Sequence, residues 1–447
     1  MFSFFKKKPV INEQAVNEPL NNEIINEQAD ETQSIDAIVE KVIAHINAHP
    51  MTHFRSESEG GPLRVNTNNK GRFVRFSLQT DVSFHLDTIE IYNKDGRNIA
   101  PGKNTIISSS YDNDLKYSGE GALVGKKNGG CNFHTQREKN PWLIVDLGTV
   151  RNLDEIVVYN RSGQFYTRAL SLKIESSWDL VSWQPIFDNW SVLKNYQNEG
   201  DISPLENALL YAAVLEGTVA KTLINKYRSD NDNESALKIH NLVNGLVRKH
   251  GLALGPHGFT QTFELSSPER KKLVFSELAL ILKVINEDFG APAFISSGTL
   301  LGIVRDGQFI GHDDDVDICY ISQVETEEEV LSERIRLMEF LKTKGFNTAF
   351  SGIAHYWCHT PKGINLDIFT GFTEEGFCSM NPIGRREVKA EDVLPLQKIQ
   401  SNGVELYLPR NPEPLLVLNY GPNWKTPDPL WTFNWGKAKQ DFQFLYL

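Results

Sequence analysis

The sequence predicts a multidomain α+β protein: a β-sandwich in the first half, a helical linker, and a C-terminal domain in which carboxylate-bearing strands alternate with helices. Three observations carry this expectation. From about residue 62, short apolar runs (RFVRFSL, FHLDTIEIY, WLIVDLG, LDEIVVYN, LSLKIES) are separated by Gly, Asn, Asp and Ser clusters, the pattern of sandwich strands with polar turns. From about residue 202, capped segments of helical periodicity take over. Residues 296–318, SSGTLLGIVRDGQFIGHDDDVDI, then set a glycine and hydroxyl turn shortly before carboxylates that alternate with apolar residues.

Composition bounds the function. The chain has 447 residues, 40% hydrophobic and 23% charged, which is ordinary globular content for two or three domains. No apolar run approaches the roughly 18 residues that a spanning helix needs. Cys131, Cys319, Cys358 and Cys378 show no CxxC or CxxH spacing, which argues against a zinc site or disulfide framework and for a cytoplasmic setting. A formal net charge of -11 argues against non-specific nucleic-acid binding, because phosphate backbones attract basic surfaces.

Residues 1–34 read as a disordered tether, rich in Asn, Glu and Gln. MFSFFKKK at its start lacks the apolar stretch of a secretory signal and reads as a frayed terminus; the alternative is that Phe2, Phe4 and Phe5 followed by Lys6, Lys7 and Lys8 make peripheral contact with an anionic membrane at the inner face of the cell membrane. In residues 35–50, Ile35, Ile38, Val39, Val42, Ile43 and Ile46 form one helical stripe that packs on its own chain, with self-association through residues 35–48 as the alternative. Residues 62–195 hold the sandwich, where Trp142, Trp178 and Trp183 are expected as core and corner residues and His134 and Thr135 as structural ones. In the linker, 202–266, Ser203, Pro204 and Glu206 form a capping box before LLYAAVLEGTVAKTLI, and SDNDNES breaks this helix from a second one ending near Lys249. In the C-terminal domain, 267–447, Ser267 and Pro268 open a helix ending before Gly290, Thr326 and Glu329 cap another ending at Gly345, and INLDIF reads as a buried strand whose one charged residue is Asp367.

In a strand, side chains two apart share a face, so Asp315 and Asp317 point one way while Val316 and Ile318 point the other. Carboxylates so placed repel unless a cation lies between them, and hard oxygen ligands with room for phosphate oxygens suit Mg²⁺ or Mn²⁺. A lone buried Asp367 raises the same demand. Counting an EF-hand loop from Asp313 puts Ile318 and Val324 where Gly and Glu belong, which excludes that motif. GEGALVGKK at 119–127 lacks the spacing and strand-to-helix setting of a phosphate loop.

The order DGRNIAPGKNTIISSSY, NFHTQREKNPWLIVDLG, IVVYNRSG and SSWDLVSWQPIF resembles the discoidin, or coagulation-factor C-type, sandwich of galactose-binding type, which implies a module that binds carbohydrate or lipid headgroups through loops at one end, with a glycan as the expected ligand. Further on, Gly298, Thr299, Leu300, Leu301 and Gly302, then Arg305, Ile310 and the run Asp313, Asp314, Asp315, Val316, Asp317, resemble the LicD family, which includes the fukutin-related transferases. NLDIF and the closing NYGPNWKTP extend that resemblance, whereas Gly311 and His312 stand where many members carry Pro-Trp. The resemblance implies a nucleotidyltransferase fold, a small mixed sheet flanked by helices. It also implies metal ligands Asp315, Asp317 and Asp367, with Asp313 or Asp367 taking the acceptor's proton. Ser297, Gly298, Thr299, Arg305, His312, Arg385 and Lys425 are the expected donor-binding residues. The expected activity moves a phospho-alcohol group, such as ribitol phosphate, glycerol phosphate or phosphocholine, from a CDP-linked donor to a polysaccharide hydroxyl in capsule, teichoic-acid-like or lipopolysaccharide synthesis. Sugar 1-phosphate transfer, nucleotidyl transfer and a non-catalytic glycan-binding adaptor are the alternatives.

Overall fold

The computed structural model describes residues 35–197, 201–324 and 326–446. The expected tether and membrane contact of residues 1–34 lie outside the described residues.

Helix α1 (Ile35–Ala48) buries Val42 and Ile46 against Leu205, Leu209 and Tyr196 of its own chain. These two residues of the apolar stripe pack within the molecule, while Ile35 at its start is exposed. The sandwich follows. Strands β1 (Leu63–Asn66), β2 (Lys70–Ser77), β3 (Asp81–Leu86), β4 (Thr88–Tyr92), β5 (Asn104–Ile107), β6 (Phe133–Lys139), β7 (Trp142–Asn152), β8 (Glu155–Tyr159), β9 (Lys173–Ser177) and β10 (Gln184–Asp188) pair antiparallel. They form sheets of order β10-β9-β2-β7-β5, β1-β8-β4 and β3-β6. Val74, Phe76, Leu143, Val145, Ile156 and Val158 fill the space between, each contributing about 1.5–3 kcal/mol through burial. Thr135 is structural as expected: its hydroxyl donates to Gln136 O at 2.7 Å and accepts from Phe84 N at 2.9 Å. Trp178 departs from expectation. It stands 65% exposed at the tip of the β9–β10 hairpin, because Asp179 and Ser177 hold the turn through backbone hydrogen bonds without help from the core.

The helical region comprises α2 (Ser191–Gln197), α3 (Pro204–Ala213), α4 (Thr218–Ser229) and α5 (Asn233–Val247). The capping box at Ser203 and Glu206 forms as read. The single helix expected through LLYAAVLEGTVAKTLI is broken in two, with Leu215 in the left-handed region (φ 58) and Gly217 capping α4. Beyond α5 a short hairpin, β11 (Ala253–Gly255) and β12 (Gly258–Thr260), turns through His257. His53, ahead of the sandwich, stacks on His250 behind α5 at 4.0 Å and joins the two regions.

The C-terminal domain opens with α6 (Pro268–Lys283), capped by Ser267 and prolonged by a wider turn to Gly290 (φ 88). Its mixed sheet runs in the order β13 (Ala293–Ile295), β14 (Asp317–Ser322), β17 (Asn365–Glu374), β16 (Tyr356–His359) and β15 (Asn347–Phe350), with β18 (Phe377–Met380) and β19 (Gly384–Lys389) continuing from β17. Among the described residues, the β14–β17 pair is the one parallel pairing of this sheet. Helices α7 (Ser297–Asp306) and α8 (Glu327–Thr343) follow β13 and β14, and the Thr326–Glu329 capping box is present. A hairpin of β20 (Gln397–Ser401) and β21 (Val404–Leu408), with α9 (Ala390–Val393), α10 (Pro412–Tyr420) and α11 (Gly436–Asp441), completes the domain. No described helix is long and apolar enough to cross a membrane, and all four cysteines are free.

Burial and the cationic neighbours His250, Arg55 and Lys249 push His53 from 6.5 down to about 4, so the fold favours the neutral ring. Stability from this group is therefore present above pH 6.5 and lost as pH falls toward 4. His53→Phe keeps a ring against His250 and should flatten the decline of the thermal midpoint across that interval; an unchanged slope contradicts this account.

Candidate functional site

The site is built where two parallel strands begin. In the β14–β17 register Asp317 lies opposite Asp367, and neighbouring strands run about 4.8 Å apart. Asp367 N donates to Val316 O at 2.9 Å, which carries the pairing one residue upstream of β14. Asp315 lies before the strand rather than within it, a difference from the alternation read in the sequence. The structure brings the three acids together: carboxylate oxygens of Asp315, Asp317 and Asp367 lie within 4.8 Å of one another.

The glycine and hydroxyl segment is the first turn of α7, where a free-standing turn was expected. Ser296 N donates to Asp317 O at 3.0 Å, and Asp317 N donates to Thr299 Oγ1 at 2.9 Å, so this turn is stitched to the head of β14. The Gly298 amide donates to the Asp317 carboxylate. A Cβ on residue 298 would overlap Asp313 Oδ2, so any larger residue there displaces the Asp313 carboxylate.

Burial and mutual repulsion dominate the electrostatics. Burial first, then the charges of Asp315 and Asp367, hold Asp317 well above the usual carboxylate range. Burial and Asp315 do the same to Asp313. Asp315 is also raised by burial, against the opposing pull of the His257 charge. Half-buried Tyr420 is raised by desolvation and by Asp317, Asp313 and Asp315. Two histidines brace the acids. His257 Nδ1 donates to Asp314 Oδ1 at 2.9 Å with Nε2 3.7 Å from Asp315 Oδ2, and the hydrogen bond to Asp314 pushes the ring up to about 9. His355 Nε2 lies 3.1 Å from Asp367 Oδ2.

The acids open into a cleft of about 710 Å³, within the size range of small-ligand sites. One wall comes from α4 and the β11–β12 hairpin, through Lys221, Ile224, Pro256 and His257. The other is an aromatic run behind α10, in which Tyr420 and Trp431 (4.5 Å) and Phe433 and Trp435 (4.7 Å) lie ring against ring. An Arg228–Asp428 ion pair at 2.9 Å ties the two walls together.

Of the residues expected here, Asp313, Asp315, Asp317, Asp367, Ser297, Gly298, Arg305 and His312 line the cleft. Arg305 lines the cleft with its guanidinium paired to Asp306, at 3.0 and 2.8 Å. Thr299 is engaged with the Asp317 amide and does not line the cleft. Arg385 and Lys425 are also held elsewhere. Arg385 is clamped by Glu374 and Glu327, and Lys425 reaches Glu413 at 3.3 Å over the Trp424 ring. His257 and His355 were not singled out in the sequence. The GPHG turn signals a hairpin around His257 but says nothing of what it faces, and no local pattern marks His355.

Acids presented from adjacent strand ends beside a helix N-terminus, above a nucleotide-sized cleft, place this domain in the nucleotidyltransferase fold class. Residues 290–411 match the family described as LicD/FKTN/FKRP, nucleotidyltransferase domain, and residues 105–209 match the F5/8 type C domain. The chain thus carries a LicD-type domain behind a discoidin-like sandwich, which supports a glycan-modifying transferase of the LicD/FKTN type. Among solved structures, ANT(2")-Ia in complex with adenylyl-2"-tobramycin aligns at 12% identity over 38% of this chain and 87% of that chain, with a TM-score of 0.24. No curated protein matches the chain.

The residues fit a hard divalent cation, because the ligating atoms are carboxylate oxygens forced together while buried. Asp317→Asn, which removes one buried charge and keeps an oxygen for the Gly298 amide, should stabilise the metal-free protein by roughly 0.5–2 kcal/mol. It should also lose the increase in thermal midpoint that Mg²⁺ gives the wild type. Gly298→Ala should lower both the midpoint and the Mg²⁺ response by displacing Asp313. A Mg²⁺ response that survives in both variants would move the ion away from these acids.

Proposed function

We propose that the protein transfers a phospho-alcohol group, such as ribitol phosphate, glycerol phosphate or phosphocholine, from a CDP-activated donor to a glycan hydroxyl. The observation that carries this reading is the charge of the cleft. Asp313, Asp315, Asp317 and Asp367 converge there, while Arg305 is paired to Asp306 and Lys221 to the Pro256 carbonyl. A diphosphate entering so acidic a cleft needs a divalent cation to be held at all. Mg²⁺ or Mn²⁺ on Asp315, Asp317 and Asp367 would neutralise charge on the diphosphate and on the leaving CMP.

The chain's own groups do the rest. The His355 contact at 3.1 Å fixes the rotamer of Asp367, and His257 does the same for Asp314 and Asp315. The first turn of α7 offers backbone N–H groups to phosphate oxygens beside the acids. Asp313, outside the ligand trio and raised by burial, accepts the proton of the attacking hydroxyl. That oxygen forms the new bond to phosphorus as the bond to the CMP oxygen breaks. The aromatic wall from Tyr420 to Trp435 supplies flat surfaces for a sugar ring or base. The sandwich would keep the glycan near the cleft and raise its effective concentration. A donor and acceptor of this kind place the reaction in the cytoplasm or at the inner membrane face, where cell-surface glycans are assembled before export.

Mixing the full chain with Mg²⁺, CDP-linked donors and an acceptor glycan should release CMP. Asp315→Ala and Asp317→Ala should bring release to background, and Asp313→Asn should slow it by about 10²–10⁴-fold. Release of the alcohol phosphate with CMP left on the acceptor, or of pyrophosphate when CTP replaces the CDP-linked donor, would instead indicate nucleotidyl transfer, and release of a nucleoside monophosphate from a sugar-linked donor would indicate sugar 1-phosphate transfer. Glycan binding without nucleotide release from any donor would make the chain an adaptor.

A further inference from the structure

The loops that follow β5 and β8 bring several cations together on a chain of net charge -11. Arg161 and Arg168 both lie over the Phe165 ring, at 5.2 and 4.5 Å, and neither makes an ion pair among the described residues. Burial first, then the charges of Arg161 and Arg137, pull half-buried Arg168 below the usual guanidinium range. Arg137 is the one member with an acid, a long 3.4 Å contact to Asp81 in which both side chains are exposed. Beside them His134 packs against Tyr111 at 4.7 Å and Tyr117 at 5.8 Å, and Lys116 sits over Tyr117. Asp112 is the acid that also faces His134. Behind this group, fully buried His85 has both ring nitrogens without a hydrogen-bond partner among the described residues.

Like charges held together with no carboxylate paired to Arg161 or Arg168 among the described residues cost stability, so the arrangement is costly until an anion enters it. The contrast with the other sandwich faces is direct. There Arg64, Arg72 and Arg75 pair with Glu155, Asp146 and Glu175 at 3.1, 2.8 and 2.6 Å. Guanidiniums present planar forks that match phosphate oxygens, and the neighbouring tyrosine and histidine rings offer flat polar-edged surfaces suited to sugars. A neutral glycan would leave such a cluster uncompensated.

We propose that the Arg161–Arg168 cluster is a phosphate-binding site through which the sandwich holds an anionic, phosphate-bearing glycan. This rests on the function proposed above, and it adds that the polymer recognised already carries phosphate, the group that the reaction installs. The site is joined to the cleft by contacts: Asn160 Nδ2 donates to Phe54 O at 3.3 Å, and the adjacent His53 stacks on His250 ahead of the hairpin bearing His257.

The test uses the full chain in EDTA, so that the acidic cleft holds no metal, and three probes: poly(glycerol phosphate), neutral dextran, and vesicles of phosphatidylglycerol with phosphatidylcholine. Poly(glycerol phosphate) should bind in a salt-sensitive manner and dextran should not. Arg161→Gln should weaken binding about tenfold. Lys116→Gln, on an exposed loop, should weaken it less, and it keeps the test readable if Arg161→Gln lowers the thermal midpoint. Dextran bound as tightly as the phosphate polymer, polymer binding unchanged in both variants, or Arg161-dependent binding to vesicles but not to the polymer would each overturn the proposal. Asp317→Asn, tested in parallel, separates the two readings. Polymer binding that depends on Arg161 while no CDP-linked donor ever releases CMP leaves the site standing and removes the transferase assignment.

Discussion

The structure depends on a repulsion: carboxylates forced together, largely out of water, at the heads of two parallel strands. Antiparallel pairing surrounds the β14–β17 pair on every side, and only this parallel contact places Asp317 opposite Asp367 with both side chains aimed at one opening. Burial and proximity each raise the free energy of the charged forms. A fold would not retain such a cluster for stability, since a buried charge without a partner costs several kcal/mol. The cost is met locally by the first turn of α7, whose amide and hydroxyl groups hold Asp317, and by His355 and His257. What remains is a demand for positive charge in the cleft.

Three separate stretches of chain build the surroundings of that demand. The sheet supplies the acids, the helical region supplies His257 on a hairpin, and the segment behind α10 supplies the aromatic wall. The last two lie outside residues 290–411, so the family-matched portion does not form the cleft by itself. Arg228 and Asp428 link the walls directly. Substrate enclosure is therefore a property of the whole C-terminal half, and changes in the linker helices are expected to reach the site through His257.

Much of this was legible in the sequence because it rests on local rules. The capping boxes at Ser203 and Thr326, the helix from Pro268 and the NLDIF strand follow from short-range chemistry and appear where expected. The convergence of Asp367 on Asp315 and Asp317 followed from reasoning that a lone buried acid needs a partner, combined with family resemblance. What stayed hidden depends on pairing between distant residues. Nothing near Arg385 or Lys425 discloses that Glu374 and Glu413 hold them, and Arg305 reads as a phosphate fork until Asp306, its immediate neighbour, is seen to take it. Likewise Trp178 looks like core by composition, yet a self-sufficient turn lifts it into solvent.

The most direct measurement is the position of an ion. Crystals of the full chain soaked in Mn²⁺ and measured for anomalous scattering should show a peak bridging Asp315, Asp317 and Asp367, with oxygen distances of about 2.0–2.2 Å. A peak elsewhere, or no peak while His355 still holds Asp367 in a site saturated with Mn²⁺, would contradict the claim that these acids exist to grip a divalent cation.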